Sequence, residues 1–435
     1  MLDDAAIGDL LEQRIDRDRR ALGMAVGVVS PEGRRFFTRG VRGANDSVPV
    51  DADTLFEIGS ATKVVTALLL ADAVRRGELA LDDAAQDHLP PGVRLPEREG
   101  QRITLRQLAT HTSALPMFPP GAPPFGDLAW SSYSAQRLFE ALADFVLPRA
   151  GGEAWEYSNS GFGLLGQVLS FAAGLDYESL ARSRVLAPLG MESTAIALSP
   201  SLAARAATPH GADLAPTGKL QLPGLEGAGA LWSSAADMTT FVAATLGLVE
   251  TPLADAFAAT LDGPRVGNPL GAEQALGWWV WPARTGVLLN HDGGTAGFAA
   301  SIFCDPAAEA GVVVLANSTV PVSDLARRIL RPDEPLPTAS APASGDVKMT
   351  EAQLKRLVGV YETESGARFV IEREGAGLVL QAPNAPRLVL APTSDTAFTS
   401  AVAGLGATFT IGPDGRGAAL AIDFAGRRTD ARRAS

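Results

Sequence analysis

The stretch Ser60–Gly77, SATKVVTALLLADAVRRG, decides how this chain is read. Ser60 opens a helical pattern, and Arg75, Arg76 and Gly77 close it, because basic residues and glycine suit a carboxyl end whose carbonyls lack partners. Val64–Leu70 is apolar almost all round, so the helix is expected in the middle of a domain. Of the four lysines (63, 219, 348 and 355), Lys63 alone has a serine three residues before it. Positions i and i+3 share a helix face, which brings hydroxyl and amine within hydrogen-bonding reach. Burial disfavours the charged amine, so Lys63 can be pushed toward neutrality and take the serine proton. The backbone N–H groups at the helix start suit a negative oxygen developing on Ser60. The alternative is that Ser60 is only an N-cap and Lys63 a snorkelling side chain.

Strand signals stand on both sides of this helix. Gly23–Ser30 (GMAVGVVS) is apolar and β-branched, the turn residues Pro31-Glu32-Gly33 follow it, and RRFFTRG completes a hairpin; Thr54–Ile58 is a further short strand. From about Leu81 to Leu189 the pattern is helical pieces broken by proline-rich loops, the longest at Pro116–Pro124. Val287–His291, Phe298–Cys304 and Gly311–Ala316 are strands again, and Val322–Leu330 is a closing helix. Early strands, a helical middle and late strands imply an α+β domain over 1–330, with one antiparallel sheet built from both ends of the segment and flanked by helices. Arg331–Asp346 is rich in Pro, Ala and Ser and reads as a linker. Residues 347–435 open with a helical turn and continue as short alternating strands, a small antiparallel barrel or sandwich.

Composition removes several function classes. The chain has 435 residues, 46% hydrophobic and 20% charged, enough for two or three domains. Cys304 is the only cysteine, which excludes an internal disulfide framework. His88, His111, His210 and His291 stand far apart without an HExxH motif, so no metal centre is expected, and no cofactor either. A net charge of −12 disfavours nucleic acid and anionic membrane as partners. No apolar run reaches the ~18 residues of a membrane span. The amino terminus alternates charge with Leu and Ile at helical spacing and lacks a basic-then-apolar signal region. The sequence as it stands is therefore read as cytoplasmic, or periplasmic or secreted if a leader has been removed.

Two further motifs carry chemistry. Tyr157-Ser158-Asn159 is the only Tyr-x-Asn and stands at the mouth of an apolar helix. A phenol can shuttle a proton to a leaving group, and the Asn159 carboxamide can hold a substrate carbonyl while pairing with Lys63. The alternative is a helix-entry turn with Ser158 or Asn159 capping. His291-Asp292-Gly293-Gly294 ends a strand, where glycines let an extended substrate approach the strand edge and the Gly294 N–H can join that of Ser60 as an oxyanion donor. The alternative there is an Asp-Gly hairpin turn, with Asp292 a turn residue. His111 is read as a hydrogen-bonded structural residue or part of the site rim, and Trp278, Trp279 and Trp281 as core. No Gly-x-Ser-x-Gly elbow, phosphate loop or dinucleotide fingerprint occurs.

In this order, serine-lysine early, tyrosine-asparagine in the middle and His-x-Gly late, the motifs resemble those of the penicillin-recognising serine hydrolases: class C β-lactamases, D-Ala-D-Ala carboxypeptidases, D-aminopeptidases and family VIII esterases. ITLRQLATHTSALP, VLAPLGMEST, GAGALWSSAADM, LGWW and HDGGTAGF support the likeness, which runs over roughly residues 10 to 330. It implies Ser60 as acylated nucleophile, Lys63 and Tyr157 as the proton-transfer pair, and Asn159, His291 and Gly293 as substrate-binding groups. His291 falls where many relatives carry a lysine, and Ala114 replaces the glycine usual in the HTSGL stretch. A mostly neutral imidazole anchors a carboxylate less strongly than an ammonium. The expected function is a metal-free serine hydrolase working through an acyl-enzyme on short-chain carboxylic esters. A D-amino-acid peptidase, amidase or carboxypeptidase with weak β-lactamase activity is the second reading, and an idle binding protein on the same fold the third. The expected partner is a small ester or D-amino-acid-containing substrate, and the oligomeric state stays open. The C-terminal barrel is expected to shape the cleft or mediate self-association.

Overall fold

The computed structural model describes every residue except 124–127, 268–271, 334–346, 348, 364–367, 375–376, 382–386, 401–404, 425–426 and 435. Most of the linker expected at 331–346 thus lies outside the described residues. The larger of two units comprises Met1–Asn268 with Ala272–Glu334, and the smaller contains Pro335–Ser435.

In the larger unit, β1 (Gly23–Ser30), β2 (Gly33–Gly43) and β3 (Asp46–Pro49) run from the expected hairpin. Then come β4 (Leu55–Glu57), a small hairpin of β5 (Glu97–Arg98) and β6 (Gln101–Arg102), and β7 (Trp232–Ser234). Strands β8 (Val266–Gly267), β9 (Glu273–Gln274), β10 (Trp279–Pro282), β11 (Val287–Gly294), β12 (Ala299–Asp305) and β13 (Ala310–Ala316) follow. Nine of them form one sheet in the order β3-β2-β1-β13-β12-β11-β10-β9-β8. The first long strand pairs with the last, Met24 opposite Ala316, so both ends of the unit close on each other as expected.

Period-two alternation explains how both faces of this sheet are covered. Met24, Val26, Val28, Val312 and Val314 pack with Ile7, Leu11, Leu325 and Ile329, from the Asp4–Glu12 and Ser323–Leu330 helices. Ala25, Val29, Val313 and Leu315 join the larger core on the other face, with Val64–Leu70 and with Phe241 of the Ala235–Thr245 helix. The Thr62–Arg75 helix is buried along Thr62–Ala73, the position its all-round apolar pattern predicts.

Three local expectations need correction. Ser60 does not cap that helix: it sits in a 3₁₀ turn, Gly59–Ala61, and the N-cap position falls to Ala61, whose side chain makes no capping bond. His291-Asp292-Gly293-Gly294 is not a turn, because β11 continues to Gly294 and pairs with β12 up to Gly294 opposite Ala299. The Thr54–Ile58 strand exists as β4 but pairs with β7, outside the main sheet.

Two glycines make the junction between the Ser60 turn and β11. A Cβ on Gly293 would lie 1.9 Å from the Ile58 carbonyl oxygen and 3.2 Å from the Ala61 nitrogen. Gly59 has φ +50°, and a Cβ there would lie 2.7–3.0 Å from the Gly294 backbone. The space freed by Gly293 is thus filled by the chain's own backbone and not left for an approaching substrate.

The smaller unit is a closed barrel of eight antiparallel strands, from β14 (Gly359–Glu362) to β21 (Arg427–Arg433), preceded by a capping-box helix, Glu351–Lys355. Leu378, Leu380, Leu390, Phe409 and Leu420 fill its interior. Arg433 donates to the carbonyls of Arg356, Val358 and Gly417 and to the Tyr361 hydroxyl. No helix among the described residues is long and apolar enough to cross a membrane.

The glycine junction yields a stability prediction. Gly293→Ala must push β11 off the Ser60 turn and is expected to cost about 1–3 kcal/mol. A Cβ on Gly294 meets nothing within 4 Å, so Gly294→Ala is expected to stay within about 0.5 kcal/mol of the parent. Thermal denaturation of the two variants checks this; equal melting temperatures would contradict the packing argument.

Candidate active site

Ser60 and Lys63 stand one turn apart, as the i, i+3 spacing predicts, with Lys63 Nζ 3.1 Å from Ser60 Oγ. The amine also donates to Asn159 Oδ1 at 2.7 Å and to the Ala228 carbonyl at 2.6 Å. Lys63 is wholly buried, and loss of hydration holds its pKa well below the ordinary 10.5. A neutral amine has two N–H donors and one lone pair. The Ala228 carbonyl and the Asn159 amide oxygen are acceptors only, so they take both donors, and the lone pair is left facing Ser60 Oγ. Among these groups Ser60 alone can donate to it.

Asn159 opens the helix Asn159–Ala173, and Tyr157 stands two residues before it, ahead of the Ser158 N-cap. Ser158 caps this helix: its hydroxyl accepts from the Gly161 N–H at 2.8 Å and donates to the Pro116 carbonyl at 2.8 Å. Ser158 thus takes the capping part, while its neighbour Asn159 makes the contact with Lys63. The Tyr157 hydroxyl hydrogen-bonds Ser60, and its ring centroid lies 4.8 Å from Lys63 Nζ. Burial, with a smaller push from Asp292, raises the phenol above its ordinary value of 10, so it holds its proton. Ser60, Tyr157 and Asn159 are half-buried, while Lys63 beneath them is not exposed at all.

On the third side lies β11. Its partner β10 begins at Trp279 opposite Asn290, so His291–Gly294 runs past that neighbour and leaves a strand edge beside Ser60. His291 is fully buried; its Nδ1–H donates to the Asp292 carbonyl at 2.7 Å, and its ring stacks on Trp279 at 5.2 Å. Burial, together with Lys63, pulls the imidazole down to about 3, so it is neutral. The Asp292 side chain, expected in a turn, accepts from Asn290 Nδ2 at 3.1 Å and Ser301 Oγ at 2.6 Å within the sheet. Ser60 lies in a first helical turn, whose N–H groups have no intrahelical acceptor, and Gly294 is exposed at the strand end.

Sequence reasoning missed three contributors. Trp279, assigned to the core with its neighbours, is half-buried and packs edge-on to Tyr157 at 6.4 Å; Trp278 alone of the three is fully buried. Trp155 borders Tyr157 at 6.3 Å and donates from Nε1 to Gln274 Oε1 at 3.0 Å. The Ala228 carbonyl is a main-chain acceptor with no side-chain signal. Ala114 has φ +61°, a left-handed conformation costing a non-glycine residue roughly 1–2 kcal/mol, which gives the physical reason a glycine is usual there. Among the described residues no three His, Cys, Asp or Glu side chains gather as a metal site.

Residues 9–336 match the Beta-lactamase family. The D-alanyl-D-alanine-carboxypeptidase/endopeptidase AmpH of Escherichia coli K12 is 34% identical over 205 residues, 46% of this chain and 53% of AmpH, so the match spans about half that relative's length. A Beta-lactamase of Pseudomonas fluorescens is 28% identical over 336 residues, 69% of this chain and 89% of the relative. The crystal structure of D-alanine Carboxypeptidase AmpC from Burkholderia cenocepacia aligns with a TM-score of 0.64 at 28% identity, covering 75% of this chain and 99% of that one. With three-quarters of the chain matched and the serine, lysine and tyrosine of the resemblance in mutual contact, the chain belongs to the β-lactamase family of serine hydrolases.

Proposed function

We propose that Ser60 is the nucleophile of an acyl-enzyme mechanism, with Lys63 as base and Tyr157 as acid. The observation that carries this reading is the contact of Lys63 Nζ with Ser60 Oγ, Asn159 Oδ1 and the Ala228 carbonyl; in the neutral amine the two acceptor-only partners take both N–H donors and leave the lone pair to Ser60. Ser60 Oγ attacks the substrate carbonyl carbon and its proton passes to Lys63. The N–H groups of Ser60 and Gly294 receive the oxyanion. Tyr157, kept neutral by burial, gives its proton to the leaving oxygen or nitrogen and recovers one from Lys63. Water then attacks the acyl carbonyl, losing a proton to the same pair and releasing Ser60 and the acid.

Short-chain carboxylic esters are the substrates this site favours. Where relatives of the resemblance place an ammonium, this chain carries His291, buried and neutral, so that position offers no cation to a substrate carboxylate. An ester also has the better leaving group, which asks less of a phenol whose proton is held tightly. A D-amino-acid amidase or carboxypeptidase is kept as the second reading, because AmpH and the Burkholderia protein bear carboxypeptidase names.

Three measurements test this. Ser60→Ala is expected to abolish labelling by a fluorophosphonate probe in intact-mass spectra; a surviving adduct would move the nucleophile elsewhere. Lys63→Ala and Tyr157→Phe are each expected to lower turnover of p-nitrophenyl butyrate by at least ~10². Turnover confined to D-alanine p-nitroanilide would replace the ester reading with the second one.

The pH dependence follows from the shifts. Activity needs Lys63 deprotonated and Tyr157 protonated. Because the Lys63 pKa is lowered and that of Tyr157 raised, activity is expected to be lost as pH falls through the lysine value and to stay full into mildly alkaline solution. An unshifted ammonium would instead confine turnover to pH above about 10, which a kcat/KM profile would reveal.

A further inference from the structure

We propose that His111 is a positioning residue that holds the Tyr157 phenol against Ser60. It grips the chain on both sides of the tyrosine. The Glu156 N–H donates to the His111 carbonyl at 2.8 Å, and the Ser158 N–H donates to His111 Nδ1 at 3.0 Å. Between these two bonds the imidazole lies on the phenol ring itself, with centroids 4.4 Å apart and planes 35° apart. The backbone before Tyr157 is thus held by the main-chain carbonyl of His111, and the backbone after it and the ring by the His111 side chain.

The imidazole is built for holding rather than for proton transfer. An Nδ1 that accepts leaves the ring proton on Nε2, and Nε2 is buried without a hydrogen-bond partner, so no relay passes through the ring. His111 is 1% exposed, and burial, Lys63 and His291 all disfavour its charged form. Protonation at Nδ1 would break the Ser158 bond, so neutrality preserves the grip. Its backbone has φ +57°, a conformation that histidine and asparagine tolerate better than most residues. That strain is retained at a residue whose ring also meets Trp155 at 5.9 Å and Phe162 at 4.9 Å. The surrounding core keeps it in place.

This inference rests on Tyr157 acting as the acid, and the test separates the two. His111→Ala removes ring and acceptor, and is expected to lower kcat on p-nitrophenyl butyrate by ~10-fold or more with KM changed less than ~3-fold, because the phenol is misplaced while the ester still binds. His111→Asn keeps a short acceptor for the Ser158 N–H and tolerates the left-handed backbone, and is expected to recover most of the loss. In a Tyr157→Phe background, either substitution is expected to change kcat by less than ~2-fold, since the group being positioned is already gone. If His111→Ala does not fold, His111→Phe, which keeps the ring packing and removes only the Nδ1 acceptor, replaces it in the cycle, with a fall in kcat of ~3-fold or more expected in the parent and less than ~2-fold in the Tyr157→Phe background. Wild-type kcat in His111→Ala, or losses that multiply fully in the Tyr157→Phe background, would overturn the positioning role and leave the acid role of Tyr157 standing. Wild-type turnover in Tyr157→Phe alone would instead remove the acid role, and this inference with it.

Discussion

The site depends on keeping one amine out of water while giving it every partner it can use. A buried amine without acceptors would cost several kcal/mol, so the fold must supply them before Lys63 can sit there. One is the Ala228 carbonyl, and the helix that carries Lys63 also fixes that carbonyl's position. Thr66, one turn further on, donates from Oγ1 to the Gly227 carbonyl at 2.7 Å and meets the Tyr177 hydroxyl at 2.6 Å. The Leu231 N–H donates to Thr62 Oγ1 at 3.3 Å. The short segment between Gly227 and Leu231 is thus clamped onto the same helix at two points, with the Lys63 bond between them. The burial that lowers the Lys63 pKa and the contacts that make that burial tolerable come from one piece of chain.

The sheet supplies the other half of the geometry. Ser60 reaches the cleft because its 3₁₀ turn lies against β11, and it can lie there because Gly293 has no side chain and Gly59 adopts a left-handed backbone against Gly294. The Ser60 turn and the strand edge are therefore not independent parts that happen to meet. Moving one moves the other, which is why glycines far apart in sequence (59 with 293 and 294) are read together. The helix Asn159–Ala173 closes the third side and is tied down at its start, where the Asn159 N–H donates to the Met117 carbonyl at 2.9 Å.

Much of this was legible in the sequence, for identifiable reasons. Period-two and all-round apolar patterns report burial directly, so β1, β13 and the Thr62–Arg75 helix lie where their residues put them. The i, i+3 spacing reports one helix face, so the contact of Ser60 with Lys63 followed. What failed was information held across the chain. An Asp-Gly pair has the same local preference for a turn whether or not a second strand pairs with it, and only the register with β12 makes Asp292 a strand residue. Trp279 alternates with apolar neighbours as a core residue would, and its place beside Tyr157 depends on where β10 begins relative to β11. A main-chain acceptor such as Ala228 carries no side-chain signal at all.

The charge state of the cleft draws these strands together. Tyr157 is held protonated, His291 is held neutral, and Lys63 is pushed toward its neutral form, each for the same reason: burial in the pocket beneath Ser60 penalises the charged form. In such a pocket a fixed ion is expensive and an oriented dipole is not. In the proposed mechanism the first proton transfer, from Ser60 to Lys63, creates charge where there was none. The carbonyl of Ala228 and the amide oxygen of Asn159 already point at the nitrogen that will carry it. They need not reorganise when the ammonium forms, and they hold the amine in place before it does. On the proposed reading, the same two bonds that orient the lone pair in the resting site stabilise the cation after attack, and the phenol returns the site to neutrality by protonating the leaving group.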